Sequence, residues 1–249
     1  MADAFGIIVV GDEILNGRRR DRHLDGIGGL LRERGLSVAW LRVLPDDPDF
    51  LARELARTMA EETPVFSCGG IGATPDDHTR QCAARAAGVD LELHAGAVAL
   101  IEQRFGQDAY PHRIRMAELP HGSELIPNPY NRVPGFSINR HYFVPGFPDM
   151  AHPMAAWVLD TLYPQGGTAM RQCSLRVHGV PESELMDLMQ SLTERFQQVK
   201  LFSLPRLGKE YEIELGFRGR QSLQEPYAAL VEALVARGIR FDVVEEAND

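Results

Sequence analysis

Apolar residues along this chain follow two rhythms that alternate at short intervals. Phe5-Gly6-Ile7-Ile8-Val9-Val10 is a continuous apolar run, the pattern of a strand buried on both faces. Leu24, Ile27, Leu30, Leu31 and Leu36 then recur at helical spacing, with Gly35 as the natural C-cap. Ser37 to Leu44 alternates as a second strand, and Asp47-Pro48 opens a helix in the order of cap, then Pro at the first turn. That helix carries Leu51, Leu55 and Met59 at four-residue steps. Pro64 ends the segment, Val65-Phe66-Ser67-Cys68 is a third strand, and a helix is expected from Gln81 to Ala87. Strand, helix, strand, helix, strand implies parallel pairing through right-handed crossovers. The expected result is a doubly wound, three-layer α/β/α unit with a mostly parallel sheet.

From about residue 120 the texture changes. Pro and Gly punctuate three short apolar pieces, Leu125-Ile126, Phe136-Ser137-Ile138 and Tyr142-Phe143-Val144, which read as short strands. A helix follows from Met150 to Leu162, and Pro164-Gln165-Gly166-Gly167 reads as a linker. Beyond it lie Cys173–His178, Glu182–Phe196, Val199–Ser203, Tyr211–Phe217, Leu223–Arg237 and Ile239–Val244. These form a β-α-β-β-α-β pattern, which predicts a small ferredoxin-like α+β domain. The expected division is 1–165 for the first domain and 171–249 for the second.

Composition narrows the class. The chain has 249 residues, enough for one large domain or two modest ones at ~100–200 residues each. Apolar residues at 44% and charged residues at 24% exclude disorder, collagen and coiled coil. No apolar run approaches the ~18–20 residues of a membrane span, and Met1 to Phe5 does not read as a signal peptide. The net charge of −9 disfavours nucleic-acid binding, which needs a basic face. The short run Arg18-Arg19-Arg20, followed by Asp21, does not reverse this. Three cysteines without C-x-x-C spacing argue for a reducing cytoplasm and against a disulfide framework or zinc site.

Candidate chemistry concentrates after the strands. Cys68-Gly69-Gly70-Ile71-Gly72-Ala73-Thr74-Pro75-Asp76-Asp77 follows a buried strand and precedes a helix. In an open parallel sheet, ligands bind beyond the carboxyl ends of the strands. The glycines allow close backbone approach to a phosphate. No Lys-Ser/Thr pair follows them, and Pro75 takes the third glycine's place, so neither a P-loop nor a dinucleotide fingerprint is present. Asp76 and Asp77 have two readings: capping of the next helix, or carboxylates for a Mg²⁺ ion bridged to phosphate. Gly11-Asp12-Glu13-Ile14-Leu15-Asn16-Gly17 ends another strand, so Asp12 and Glu13 share the edge of Asp76 and Asp77. Asp21 and His23 follow closely, although a lone histidine is more often a packing residue. Arg113 and Arg115 are candidate phosphate clamps. Cys68 lacks an obvious base and does not read as a nucleophile, and the eight histidines show no metal-ligand spacing.

Taken with Asp46-Asp47, Asn128-Pro129, Pro134-Gly135-Phe136 and Pro145-Gly146-Phe147-Pro148, these motifs resemble the molybdopterin-binding domain family. The resemblance covers about residues 5–163 and is closest to the CinA-like (competence/damage-inducible protein A) branch. The segment 171–249 resembles the small domain that follows there, and the amidohydrolase domain of full-length relatives has no counterpart, so its deamidase activity is not expected. Cys68 stands where the family usually has Thr, Pro75 where a polar residue is common, and His23 and His112 where Asn is usual. The resemblance implies metal-dependent hydrolysis of the pyrophosphate in ADP-ribose or FAD. The alternatives are molybdopterin binding or adenylylation in molybdenum cofactor synthesis, and non-catalytic sensing of a pterin or nucleotide. It implies phosphate or ligand contacts at Gly69, Gly70, Gly72, Thr74, Asp21, Asn128, Pro145 and Gly146. Asp76, Asp77 and Glu13 become expected ligands of a divalent cation such as Mg²⁺, with Asp12 and Asp77 as the catalytic carboxylates. The expected partners are a small-molecule nucleotide or pterin and a second copy in a homodimer, with no membrane.

Overall fold

The computed structural model describes residues 4–206 and 211–244; residues 1–3, 207–210 and 245–249, including those ends of the expected domains, lie outside that description. The chain divides into two compact units, Met1–Gly167 and Thr168–Asp249.

In the first unit, β1 (Ala4–Val10) leads through the single-turn α1 (Asp12–Leu15) to α2 (His23–Glu33) and β2 (Ser37–Leu44). Next come α3 (Pro48–Met59), β3 (Val65–Cys68), α4 (Thr79–Ala87), β4 (Leu91–Leu93) and α5 (Ala95–Phe105). Then follow β5 (Glu118–Pro120), β6 (Glu124–Ile126), β7 (Gly135–Ile138), β8 (His141–Val144) and α6 (Pro148–Leu162). The main sheet has the order β2-β1-β3-β8-β7-β6. Its first four strands run parallel and β7 runs antiparallel to both neighbours. A two-residue turn, Asn139-Arg140, with φ of 48° and 58°, joins β7 to β8, the sign that matches the strand twist.

Strand alternation builds the three layers. Phe5, Ile7 and Val9 point to one face and pack with Ile27 and Leu31 of α2 and Met154, Val158 and Leu159 of α6. Ile8 and Val10 point to the other, against Leu51 and Leu55 of α3, Ala83 of α4 and Ile101 of α5. The apolar run of β1 thus reflects a strand with helices on both faces. Helix ends follow their signals. Asp47 accepts from Phe50 N at 2.6 Å, capping α3. Gly35, at φ 70°, takes α2 into its left-handed stop, and Leu36 N reaches back to Leu31 O at 2.8 Å. Segment 88–117, for which the sequence offers no assignment, holds β4 and α5, and the β4–β5 pair forms its own two-stranded sheet. Three residues are too few to show alternation, and α5 buries only Ala97 and Ile101.

The second unit contains β9 (Arg171–His178), α7 (Met186–Arg195), β10 (Lys200–Arg206), β11 (Glu212–Gly219), α8 (Gln224–Ala236) and β12 (Phe241–Val244). Its sheet order is β10-β11-β9-β12, antiparallel throughout. That is the ferredoxin-like order expected from the element pattern. Leu175, Val177, Leu215 and Phe217 meet Leu188, Leu192, Leu230 and Leu234 in a separate core. Among the described residues, no helix is long and apolar enough to cross a membrane.

Candidate functional site

The carboxyl ends of β1, β2, β3 and β8 open onto a cleft of about 500 Å³ in the first unit. The loop after β3 is its floor. Gly69 sits at φ 109°, and a Cβ there would meet Val10 O at 2.5 Å, so the position excludes a side chain. Gly69 N donates to Val144 O at 3.0 Å, and the Thr79 hydroxyl donates to Gly69 O at 2.9 Å. Arg80, 2% exposed, reaches under the loop to donate to Gly72 O at 2.8 Å and Glu118 O at 3.0 Å. Burial pulls its pKa down, with the Glu118 and Asp77 charges acting in opposition. With the Gly69, Gly70 and Gly72 carbonyls engaged from behind, the N–H groups of Gly70, Ile71, Gly72 and Ala73 have no hydrogen-bond acceptor among the described residues. All four residues line the cleft. Successive free N–H groups of this kind form an anion-binding concavity.

Carboxylates face this loop. Glu13, Asp46, Asp76 and Asp77 line the cleft. Asp46, at the end of β2, accepts from Asp12 N at 2.9 Å. Its pKa stands above the ordinary carboxylate value, chiefly because it is drawn out of water; the charges of Asp12, Glu13 and Asp76 add to this against the Asp12 N–H. Asp76 is exposed, and the Thr74 hydroxyl beside it holds its carboxyl below the usual range. Asp77 does not cap α4; its Oδ2 accepts from Thr74 N at 2.9 Å and from the Thr74 hydroxyl, closing the tip of the loop. Among the described residues, no three His, Cys, Asp or Glu side chains form a metal-holding group by themselves. The donor set fits Mg²⁺ where phosphate oxygens complete the coordination, because that ion takes one or two carboxylates plus phosphate.

The structure brings Glu13, Gly69, Gly70, Gly72, Thr74, Asp76, Asp77, Asn128, Pro145 and Gly146 to one cleft. The other candidates lie elsewhere. Asp12 is exposed and is not part of the lining; its main chain serves Asp46 instead. Asp21 caps the start of α2, accepting from His23 N at 2.9 Å and Leu24 N at 3.1 Å, beside a smaller hollow of about 320 Å³. His23 borders the same hollow, buried, with Nε2 3.3 Å from Gly146 O. Burial lowers its pKa. Cys68 also borders it, its thiol pKa pushed up by burial, which agrees with its exclusion as a nucleophile. His112 is exposed. Arg113 donates to Asp108 O at 2.7 Å and lies over Phe105, and neither it nor Arg115 lines the cleft; Arg19 does.

Asp46 is the main residue that reasoning from spacing missed, although the Asp46-Asp47 pair marks the end of β2. The two neighbours divide the work, Asp47 capping α3 and Asp46 facing the cleft. Phe105, Met116, Asn131 and Met150 also line it. They come from separate segments and carry no local signal.

Residues 6–164 match the family model described as "Probable molybdopterin binding domain". A CinA-like protein of Geobacter sp. (strain M21) is 32% identical over 203 residues, 78% of this chain and 49% of that protein. A protein of Aeropyrum pernix is 30% identical over 249 residues, covering 94% of this chain and 92% of its own. Among solved structures, CinA from Thermoplasma acidophilum, described as of unknown function, superposes with a TM-score of 0.58 at 30% identity. It covers 66% of this chain and 97% of that one. The chain spans about half the length of the CinA-like relatives it matches.

Proposed function

This chain belongs to the molybdopterin-binding domain family, in its CinA-like branch, and from that premise we propose that its cleft hydrolyses the phosphoanhydride of an ADP-ribose- or FAD-type nucleotide. The observation that carries this reading is one cleft lined both by four N–H groups that have no acceptor among the described residues and by the carboxylates of Glu13, Asp46 and Asp76. The N–H groups of Gly70 to Ala73 hold a phosphate and stabilise the negative charge that grows on it as water attacks. Asp46, which lines the same cleft, is the carboxylate placed to take the proton from that water. Water oxygen bonds to phosphorus, the bridging P–O bond breaks, and the leaving phosphate keeps the electron pair. Glu13 and Asp76 would hold a divalent cation, which when bound neutralises phosphate charge. Asp77 shapes the loop through Thr74.

The test is AMP release from ADP-ribose and FAD with and without Mg²⁺, Mn²⁺ or Co²⁺. Turnover is expected only with a cation. Asp46→Asn keeps the acceptor for Asp12 N and should lose at least ~100-fold in kcat with an unchanged melting temperature. Asp76→Ala/Asp77→Ala should be inactive. Absence of cleavage in the wild type overturns the reading. The second reading, molybdopterin binding or adenylylation, is favoured by the description of the matching family model. Molybdopterin binding without turnover of any dinucleotide would select it.

A further inference from the structure

The hollow of about 320 Å³ beside the cleft carries charge of the opposite kind. Among the described residues, the cleft is lined by four carboxylates and one cationic side chain, Arg19. The hollow is lined by Arg19, Arg20 and Arg22. Its two carboxylates are Asp21 and Glu13. Asp21 is spent on the start of α2, one oxygen accepting from His23 N and the other from Leu24 N. Glu13 stands 4.0 Å from the Arg19 guanidinium and also lines the cleft. Neither Arg20 nor Arg22 makes a side-chain hydrogen bond or ion pair among the described residues. Behind them Val9, Cys68 and His23 are buried, and the Cys68 thiol is held protonated. A wall of this kind, lined by cations over a low-dielectric floor, focuses its field on an incoming anion. The two cavities adjoin, since Val10, Glu13, Arg19, Gly146 and Phe147 line both. A ligand with its phosphoanhydride at Gly70 to Ala73 and a cation at Glu13 can therefore place its next group in the hollow.

We propose that this hollow is a phosphate-monoester subsite formed by Arg19, Arg20 and Arg22, and that the ligand is an ADP-type phosphoanhydride carrying one further phosphate on a ribose hydroxyl. This deepens the hydrolytic reading and rests on it for the position of the phosphoanhydride. A phosphate monoester concentrates its charge on one phosphorus and presents three oxygens, which the forked N–H donors of guanidinium groups match in pairs. Beyond the anhydride, the ribose hydroxyls are the first positions able to carry such a group. The clustered guanidiniums repel one another in a chain whose net charge is −9, and a bound monoester relieves that repulsion.

The experiment is calorimetric titration of the full chain with Mg²⁺ present, in the Asp46→Asn background so that the ligands stay intact. Two matched pairs serve as probes: ADP-ribose with its 2′-phosphate, and dephospho-coenzyme A with coenzyme A, which adds a 3′-phosphate. Each pair differs by a single phosphate monoester. In at least one pair the phosphorylated member should bind at least ~10-fold more tightly, the effect of a charge-assisted contact, and that pair identifies the hydroxyl. Adding Arg20→Gln/Arg22→Gln should bring the ratio close to one, with the melting temperature near that of the parent because neither side chain has a partner to lose. Arg18→Gln removes a charge from the same run at a residue that lines neither cavity, and should leave the ratio as it is. Equal affinities within both pairs overturn this inference and leave the phosphoanhydride reading standing. So does a comparable fall in the ratio for Arg18→Gln, which would assign the preference to the general field of the run. Failure of all four probes to bind, here and in wild type, overturns the cleft reading and this one with it.

Discussion

Individual side chains in this protein separate into those that hold the frame and those left facing the cleft, and hydrogen-bond saturation tells them apart. His141, fully buried in β8, has Nε2 2.8 Å from the Thr58 hydroxyl and Nδ1 3.0 Å from Asn139 O. Burial lowers its pKa from 6.5 to about 4. The folded protein therefore binds fewer protons than the unfolded chain between those values, and stability falls as pH drops from 6.5 towards 4. The gap is worth up to ~3 kcal/mol. Urea unfolding at pH 7.5 and pH 5 should show a lower midpoint at pH 5, and His141→Gln should flatten that difference. An equal slope in the variant would remove His141 as the cause. His23 and His152, also lowered by burial, add in the same direction. Nothing in the local sequence separates His141 from the other histidines, since only its position under α3 removes it from water.

At the scale of elements, neighbouring residues take different duties because a strand end and a helix start meet between them. Asp46 belongs to the end of β2 and Asp47 to the cap of α3. Asp47→Ala should cost about 1 kcal/mol in urea unfolding through the lost bond to Phe50 N, without reducing turnover. Asp46→Asn should do the opposite. Equal effects of the two variants on turnover would mean that the carboxylates act as one unit. The long elements were legible: β2 and β3 run as their apolar patterns indicate, and α3 starts at its Asp-Pro signal. α4 starts at Thr79, two residues before the apolar rhythm shows it, because the Thr79 hydroxyl and N–H bind back onto the glycine loop. That bonding depends on where the loop lies, so periodicity carries no trace of it.

Considered whole, the molecule is two units with separate cores, and every residue lining the cleft lies between Val10 and Met150. A chain cut after Gly167 should remain folded and keep the cleft's binding and turnover within about twofold, because a unit with its own core folds alone. Loss of activity in a folded 1–167 chain would show that the ferredoxin-like unit contributes to the reaction.

The sequence by itself determined the layer architecture, since burial on two faces, helical stripes and cap residues are local consequences of hydrophobic periodicity and backbone hydrogen bonding. It also determined where a site belongs, because the carboxyl edge of a parallel sheet follows from strand direction alone. Which side chains reach that edge with free hydrogen-bonding groups was decided only in three dimensions. Asp77 is engaged by Thr74, Asp21 by the start of α2, and Asp12 offers Asp46 its main chain. Among the described residues, Asp46 and the N–H groups of Gly70 to Ala73 remain for a ligand. Spacing lists donors and acceptors, and packing decides which of them are already paired.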